Sequence, residues 1–227
     1  MKKLFYLLFD GAHCDGSLLR ESLEDLIVPI LRGVGAEEVS AFVSDDEVAT
    51  GSPIRQSDPP IRAALSFNLA SEADRFPVET ALDDLVSRQA GYLVRESRPV
   101  GHERRVGERT PGMLQLSCVS QRADISHEEF LRIWYEDHEK VAIETQSTFG
   151  YVRNEILGTL TEGAPEHWSA IVEESFPIEA IEDPMAFFAA TTEEELTRNR
   201  ERMLVSCGRF LDLSRIEVTF MSEKYFG

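Results

Sequence analysis

At 227 residues, with 42% aliphatic, aromatic, Met and Cys side chains and 13 Phe, the chain is sized for one large domain or two of about 110 residues and can bury a real core. That balance excludes disorder, collagen and low-complexity sequence. A net charge of −18, from 41 Asp+Glu against 23 Lys+Arg, excludes a general binder of nucleic-acid phosphates or of anionic membranes, because both need positive surface.

The opening Met1-Lys2-Lys3 and the run from Leu4 to Phe9 imitate the start of a signal peptide. The apolar run stops at Asp10 with no fitting small-residue cleavage site, so a buried first strand over 2–9 is expected instead. No run approaches the ~18 apolar residues of a membrane span. Ser17 to Leu31 reads as a helix with Leu19, Leu23, Leu26 and Ile30 on one face, and Glu37 to Ser44 as a second strand. A polar, Pro-bearing loop from Asp45 to Pro60 follows. Then come a strand over Ile61 to Leu69, a helix over Val78 to Gln89 and a strand from Gly91 to about Val100.

The second half repeats that order. Met113 to Ser120 is a strand in which Leu114, Leu116 and Cys118 alternate with Gln115, Ser117 and Val119. Asp124 or Ser126 caps a helix running to about Ser147, and Ser126 with Glu129 has the spacing of a capping box. Tyr151 to Leu160 and Trp168 to Phe176 read as strands. A short helix at Ile178 to Ala190, a longer one at Glu193 to Leu211 and a strand at Ile216 to Tyr225 complete the chain.

Leu4, Tyr6 and Leu8 stand 110 positions before Leu114, Leu116 and Cys118, and Ser66-Phe67 stand 109 before Ser175-Phe176. The expected fold is therefore α+β: two tandem ferredoxin-like βαββαβ units, 1–110 and 111–227, joined near Arg104 to Gly112. Each unit has helices on one face of its sheet only, so pairing the sheets into an intrachain α/β barrel covers both and can leave a pocket between them.

Phe130, Trp134 and His138 recur every four residues and so share one helix face. A His at the inner end of such a stripe has its pKa lowered by burial or raised by a carboxylate, and can then shuttle a proton near neutrality. The plainer alternative is a buried His satisfied by a backbone carbonyl. One of Glu173 and Glu174 must point inward. An inward Glu173 near His138 would orient it or act as base, whereas at an edge it is only a solvated charge. Tyr151 and Asn154 face opposite sides of one strand, so at most one lines a pocket and holds a substrate carbonyl or hydroxyl. Trp134 is either core or a stacking platform.

These residues carry a resemblance. Ser126 to His138 has an acidic helix start, then Phe130, Trp134 and His138 at successive fourth positions. Tyr151-Val152-Arg153-Asn154, Ile171 to Phe176 with its Glu173, and Arg209-Phe210-Leu211-Asp212 followed by Glu223 come downstream. Over about Pro111 to Gly227 the chain resembles the EthD-like family of the dimeric α/β-barrel (ferredoxin-like) superfamily, departing at Ile133, where the family favours an aromatic. At the aligned offset Trp134 and His138 fall on Glu24 and Val28, and Glu173 falls near Ala64, so a family-type polar site is single and the first half is its other wall.

The resemblance implies a cytoplasmic small-molecule enzyme acting on an apolar, aromatic or polyketide-like compound, as in aromatic-compound degradation. Its chemistry would be cofactor-independent oxygenation, decarboxylation, dehydration or cyclisation, sharing proton transfer beside a carbonyl or phenol. His138 and Glu173 would be catalytic, and Trp134, Tyr151 and Asn154 would bind substrate. The competing class is a non-catalytic ligand-binding or stress-type barrel, and a homo-oligomer stays open. Haem, bound by barrel relatives elsewhere in the superfamily, is the alternative cofactor, with His138 as a lone axial ligand.

Other signals are poor. Cys14, Cys118 and Cys207 form neither a disulfide framework nor a metal spacing, which suits a reducing cytosol. The five His residues have no ligand pattern, and no metal is expected; His13-Cys14-Asp15 is the remaining loop trio. Glycine-rich phosphate loops and Ser nucleophile elbows are absent. Arg98, Arg104, Arg105 and Arg109 make a local positive spot that either pairs with acidic neighbours or draws an anionic substrate to the pocket mouth.

Overall fold

The structure, a computed structural model, describes residues 1–10 and 15–227; His13 and Cys14 of the loop trio lie outside the described residues. The first half runs β1 (Lys2–Phe9), α1 (Gly16–Ser22), a π-helical segment (Leu23–Ile27), α2 (Val28–Gly33), β2 (Glu37–Val43), β3 (Ile61–Leu69), α3 (Phe76–Leu85) and β4 (Arg88–Val100). The second runs β5 (Met113–Val119), α4 (His127–Arg132), a π segment (Ile133–His138), α5 (Glu139–Thr145), β6 (Gly150–Thr159), β7 (Ala170–Phe176), α6 (Pro184–Phe187), α7 (Glu193–Gly208) and β8 (Glu217–Tyr225). Ser126 caps α4 by accepting from the Glu129 amide at 3.1 Å, half of the expected capping box; the Glu129 carboxylate turns instead to Arg132.

All eight strands close one barrel in the order β1-β3-β2-β8-β5-β7-β6-β4. Each half supplies four neighbouring strands, and the seams are the antiparallel pairs β2–β8 and β4–β6. Closure removes both sheet edges that either half would otherwise leave unpaired. The barrel interior is packed, with Phe5, Leu7 and Phe42 from one half meeting Leu114, Leu116 and Ile171 from the other. The helices cover the outside of each sheet.

The ladders correct the alignment of the two halves. Tyr6 pairs with Leu65 and Gln115 pairs with Glu174, so β1 and β5 match at an offset of 109, not 110. Leu4, Tyr6 and Leu8 face the helices, whereas Leu114, Leu116 and Cys118 face the barrel interior. A slip of one residue exchanges the two faces of a strand. β1 is apolar on both faces, so its sequence carries no alternation that sets the register; β5 alternates and does.

Candidate active site

In the second half the side chains on the helix side of the sheet are not all apolar. Gln115, Ser117 and Val119 of β5, Tyr151 of β6, and Val172 and Glu174 of β7 line a cavity of about 290 Å³ under the helices. The helical wall brings Trp134, His138, Met203, Cys207 and Phe210. Phe187 and Phe188 close another side from α6 and the residue after it. The cavity thus lies between the second sheet and its own helices, and the expected pocket between the two sheets is instead the packed barrel interior. The first half contributes a rim through a loop rather than a sheet wall. Ile54 exchanges backbone hydrogen bonds with Val218 at 3.0 and 2.8 Å, seating Ser52 and Ile54 at the cavity. Gly51 permits that approach, because a Cβ there would stand 2.4 Å from the Phe220 ring.

His138 ends the π segment, whose widened turn is closed by the Glu139 amide donating to the Trp134 carbonyl. Such segments recur at functional sites. Phe130, Trp134 and His138 are all buried on one side of the helix, as their spacing predicts. The His138 ring lies 4.9 Å from that of Phe210, and its Nδ1 is 2.9 Å from Ser206 Oγ on α7. Its partner is thus a side chain rather than the backbone carbonyl of the plainer reading. Burial, helped by the charge of Arg153, lowers its pKa to about 4, so the imidazole is neutral at pH 7.

Trp134 donates its indole N–H to Tyr151 Oη at 2.9 Å, which fixes both rings and sets the phenol oxygen at the cavity wall. Burial pushes the Tyr151 phenol well above its ordinary value, so it stays protonated.

Glu173 and Asn154 lie on the opposite face. Asn154 donates to Glu173 Oε1 at 2.8 Å and to the Ile171 carbonyl at 3.2 Å, and Lys3 approaches Glu173 at 3.5 Å. The sheet stands between this group and His138, so the expected orientation of His138 by Glu173 does not occur. The period of two along β7 is the reason: adjacent residues take opposite faces. The carboxylate in the cavity is Glu174. Gln115 donates to its Oε2 at 3.2 Å, and burial raises its pKa to about 7. Glu174 and Ser206 were not singled out by sequence; the signal for Glu174 was the polar alternation of Gln115 and Ser117 on the neighbouring strand. Of the expected positive spot, Arg98 pairs with Glu96 at 2.5 Å, Arg104 with Glu38 at 2.8 Å and Arg105 with Glu103 at 3.2 Å. Arg109 instead donates to Ser222 Oγ and the Gly112 carbonyl, and none of the four lines the cavity.

No family model and no curated protein matches the chain. Solved structures do match along its whole length. An anthrone oxidase-like protein aligns over 100% of this chain and 94% of its own at 10% identity, with a TM-score of 0.58. A dye-decolorizing peroxidase from Bacteroides thetaiotaomicron aligns over 99% and 93% at 8% identity, with a TM-score of 0.54. The fold shared with these structures is an α+β barrel of two ferredoxin-like βαββαβ halves.

Within that α/β barrel the residues at hand decide which groups the cavity suits. Among the described residues no three of His, Cys, Asp and Glu converge as a metal site, and no helix is long and apolar enough to cross a membrane. His138 offers the nitrogen an axial haem ligand needs, but the rest of the lining does not fit that group. It holds no Lys or Arg to meet two propionates, and it already carries a buried carboxyl.

Proposed function

We propose that this α/β barrel is a small-molecule enzyme of EthD-like type, its residues 111–227 holding the site, that moves a proton beside a carbonyl or phenol of an apolar ring compound without a bound cofactor. One observation carries this reading: a single aromatic-walled cavity holds an imidazole and a carboxyl whose titrations burial pushes in opposite directions. Such a pair separates donor from acceptor at neutral pH. His138 acts as the neutral imidazole, its remaining ring nitrogen exchanging a hydrogen bond or proton with the substrate oxygen, while Ser206 fixes the ring through Nδ1. Trp134 offers a stacking face and Tyr151 a phenolic O–H. The dry walls of Phe187, Phe188 and Phe210 keep water from competing. Glu173 and Asn154, on the other face, hold the barrel interior.

A carrier would need only the apolar wall, so the buried acid and base favour an enzyme. The likeness to an anthrone oxidase-like protein makes anthrone the first probe. The test is deuterium uptake at its ring methylene in D2O. The chain should accelerate uptake over buffer, and His138→Ala should lose about 100-fold or more of that acceleration. No acceleration by the intact chain, or full acceleration by His138→Ala, would end this reading.

A further inference from the structure

Glu173 and Glu174 are adjacent on β7 and equally hidden from solvent, but their surroundings differ. Glu173 has the Lys3 ammonium at 3.5 Å and the Asn154 amide at 2.8 Å. Among the described residues Glu174 has one neutral partner, the Gln115 amide, on Oε2, and forms no ion pair. Its Oε1 has no hydrogen-bond donor among the described residues and is open to the cavity, and no lining residue is Lys or Arg. A second acceptor also lacks a donor. Gln146 is 7% exposed, lines the cavity and has a buried Oε1 without a partner.

A buried acceptor with no donor costs about 1–3 kcal/mol, and a buried carboxyl without a cation costs more. This cavity therefore keeps one buried acceptor without a donor, Gln146 Oε1, and one carboxyl oxygen open to a ligand, Glu174 Oε1, inside a largely apolar lining. The group that satisfies them is a donor on a flat apolar body. A second carboxylate would instead meet Glu174 in apolar surroundings, with no cation in the lining to offset the repulsion. Arg153, behind the Trp134 and Tyr151 rings, is already paired with Glu139 at 2.9 Å.

Building on the reading of this cavity as a small-molecule site, the geometry points to Glu174 as its specificity-determining residue: it admits neutral hydroxyarenes, whose O–H donates to Oε1, and rejects aromatic carboxylates of the same size. The ring stacks among Trp134, Tyr151 and Phe210, and a second hydroxyl, where present, reaches Gln146.

The probes are 2-naphthol, its methyl ether and 2-naphthoate, titrated calorimetrically into the intact chain at pH 7.5. 2-Naphthol should bind about tenfold or more tightly than either of the others, the ether lacking the donor and the naphthoate carrying the repelled charge. Glu174→Gln keeps an acceptor and removes the charge, so 2-naphthoate should gain on 2-naphthol until the two lie within about threefold. A melting curve shows that this variant is folded. Equal binding of 2-naphthol and 2-naphthoate to the intact chain, or an unchanged ratio in folded Glu174→Gln, would overturn the selectivity alone. Binding of none of the three would overturn the cavity as a site for ring compounds, and this inference with it. Binding needs no turnover, so failure of the anthrone exchange would leave this result standing.

Discussion

The two halves share a fold and differ in what lies between sheet and helices. In the first half that space is filled. Leu19, Leu23, Ile27 and Val28 from the helix meet Tyr6, Leu65 and Phe67 from the sheet, and the Tyr6 and Phe67 rings stack at 5.6 Å. In the second half the matching ladder positions read Gln115 for Tyr6, Glu174 for Leu65 and Tyr151 for Ala41. Both helices carry a π segment, and the two begin 110 residues apart, at Leu23 and Ile133. The widened turn alone does not make a site, since the first half keeps it around packed apolar side chains. The site arises where polar residues on the helix-facing side of the sheet coincide with the aromatic wall of α6 and the residue after it.

The sharpest way to break this comparison is to exchange residues between matched positions. Leu65→Glu places a carboxyl in a filled core with no cavity and no partner. It should cost on the order of 4 kcal/mol, read as a collapse of the urea midpoint.

The reverse change should stabilise. The Glu174 pKa rises from 4.5 to about 7 on folding, so the folded state holds the extra proton. Its contribution is fully present below pH 4.5 and is lost as pH rises toward 7. Glu174→Gln should therefore gain roughly 3 kcal/mol over the parent at pH 7 and little at pH 4.5. His138 has the opposite sign. Its pKa falls from 6.5 to about 4, so its contribution is present above 6.5 and is lost as pH falls toward 4. In Glu174→Gln that acid-side loss stands unopposed, and melting temperature should climb between pH 4.5 and 6.5 more steeply than in the parent. A flat difference between the two proteins across this range would show that Glu174 is not a titrating cavity group.

The smallest effect concerns the two tyrosines. Tyr151→Phe leaves the buried Trp134 indole N–H without its acceptor and should cost about 1 kcal/mol in chemical denaturation. Tyr6→Phe should cost less, because Glu79 keeps Arg75 at 2.9 Å when the phenol is gone.

Much of this was legible in the chain. The order of strands and helices, the Ser126 cap and the shared face of Phe130, Trp134 and His138 all follow from local patterns of turn residues and apolar period. So did the difference between halves, since Val28 and Glu24 stand where the second half has His138 and Trp134. Less legible was which of two adjacent glutamates faces the helices. A doublet such as Glu173-Glu174 sends one carboxyl each way, and only the ladder with β5 shows that the second joins Gln115 in the cavity. Ser206 lies 68 residues from His138, beyond any local pattern.

The division between the two sources of information is physical. Periodicity and capping act within a few residues, so the chain's own order of residues settles which segments are strands, which are helices and which helix face is buried. Register between strands, the side of the sheet that opens into a cavity and the partner of each buried charge depend on residues brought together from far along the chain. Those features follow from closing the barrel: once Phe5, Phe42 and Leu116 face its interior, Gln115 and Ser117 of β5 and Glu174 of β7 are left facing the helices, where the cavity is, while Glu173 turns inward to Asn154 and Lys3.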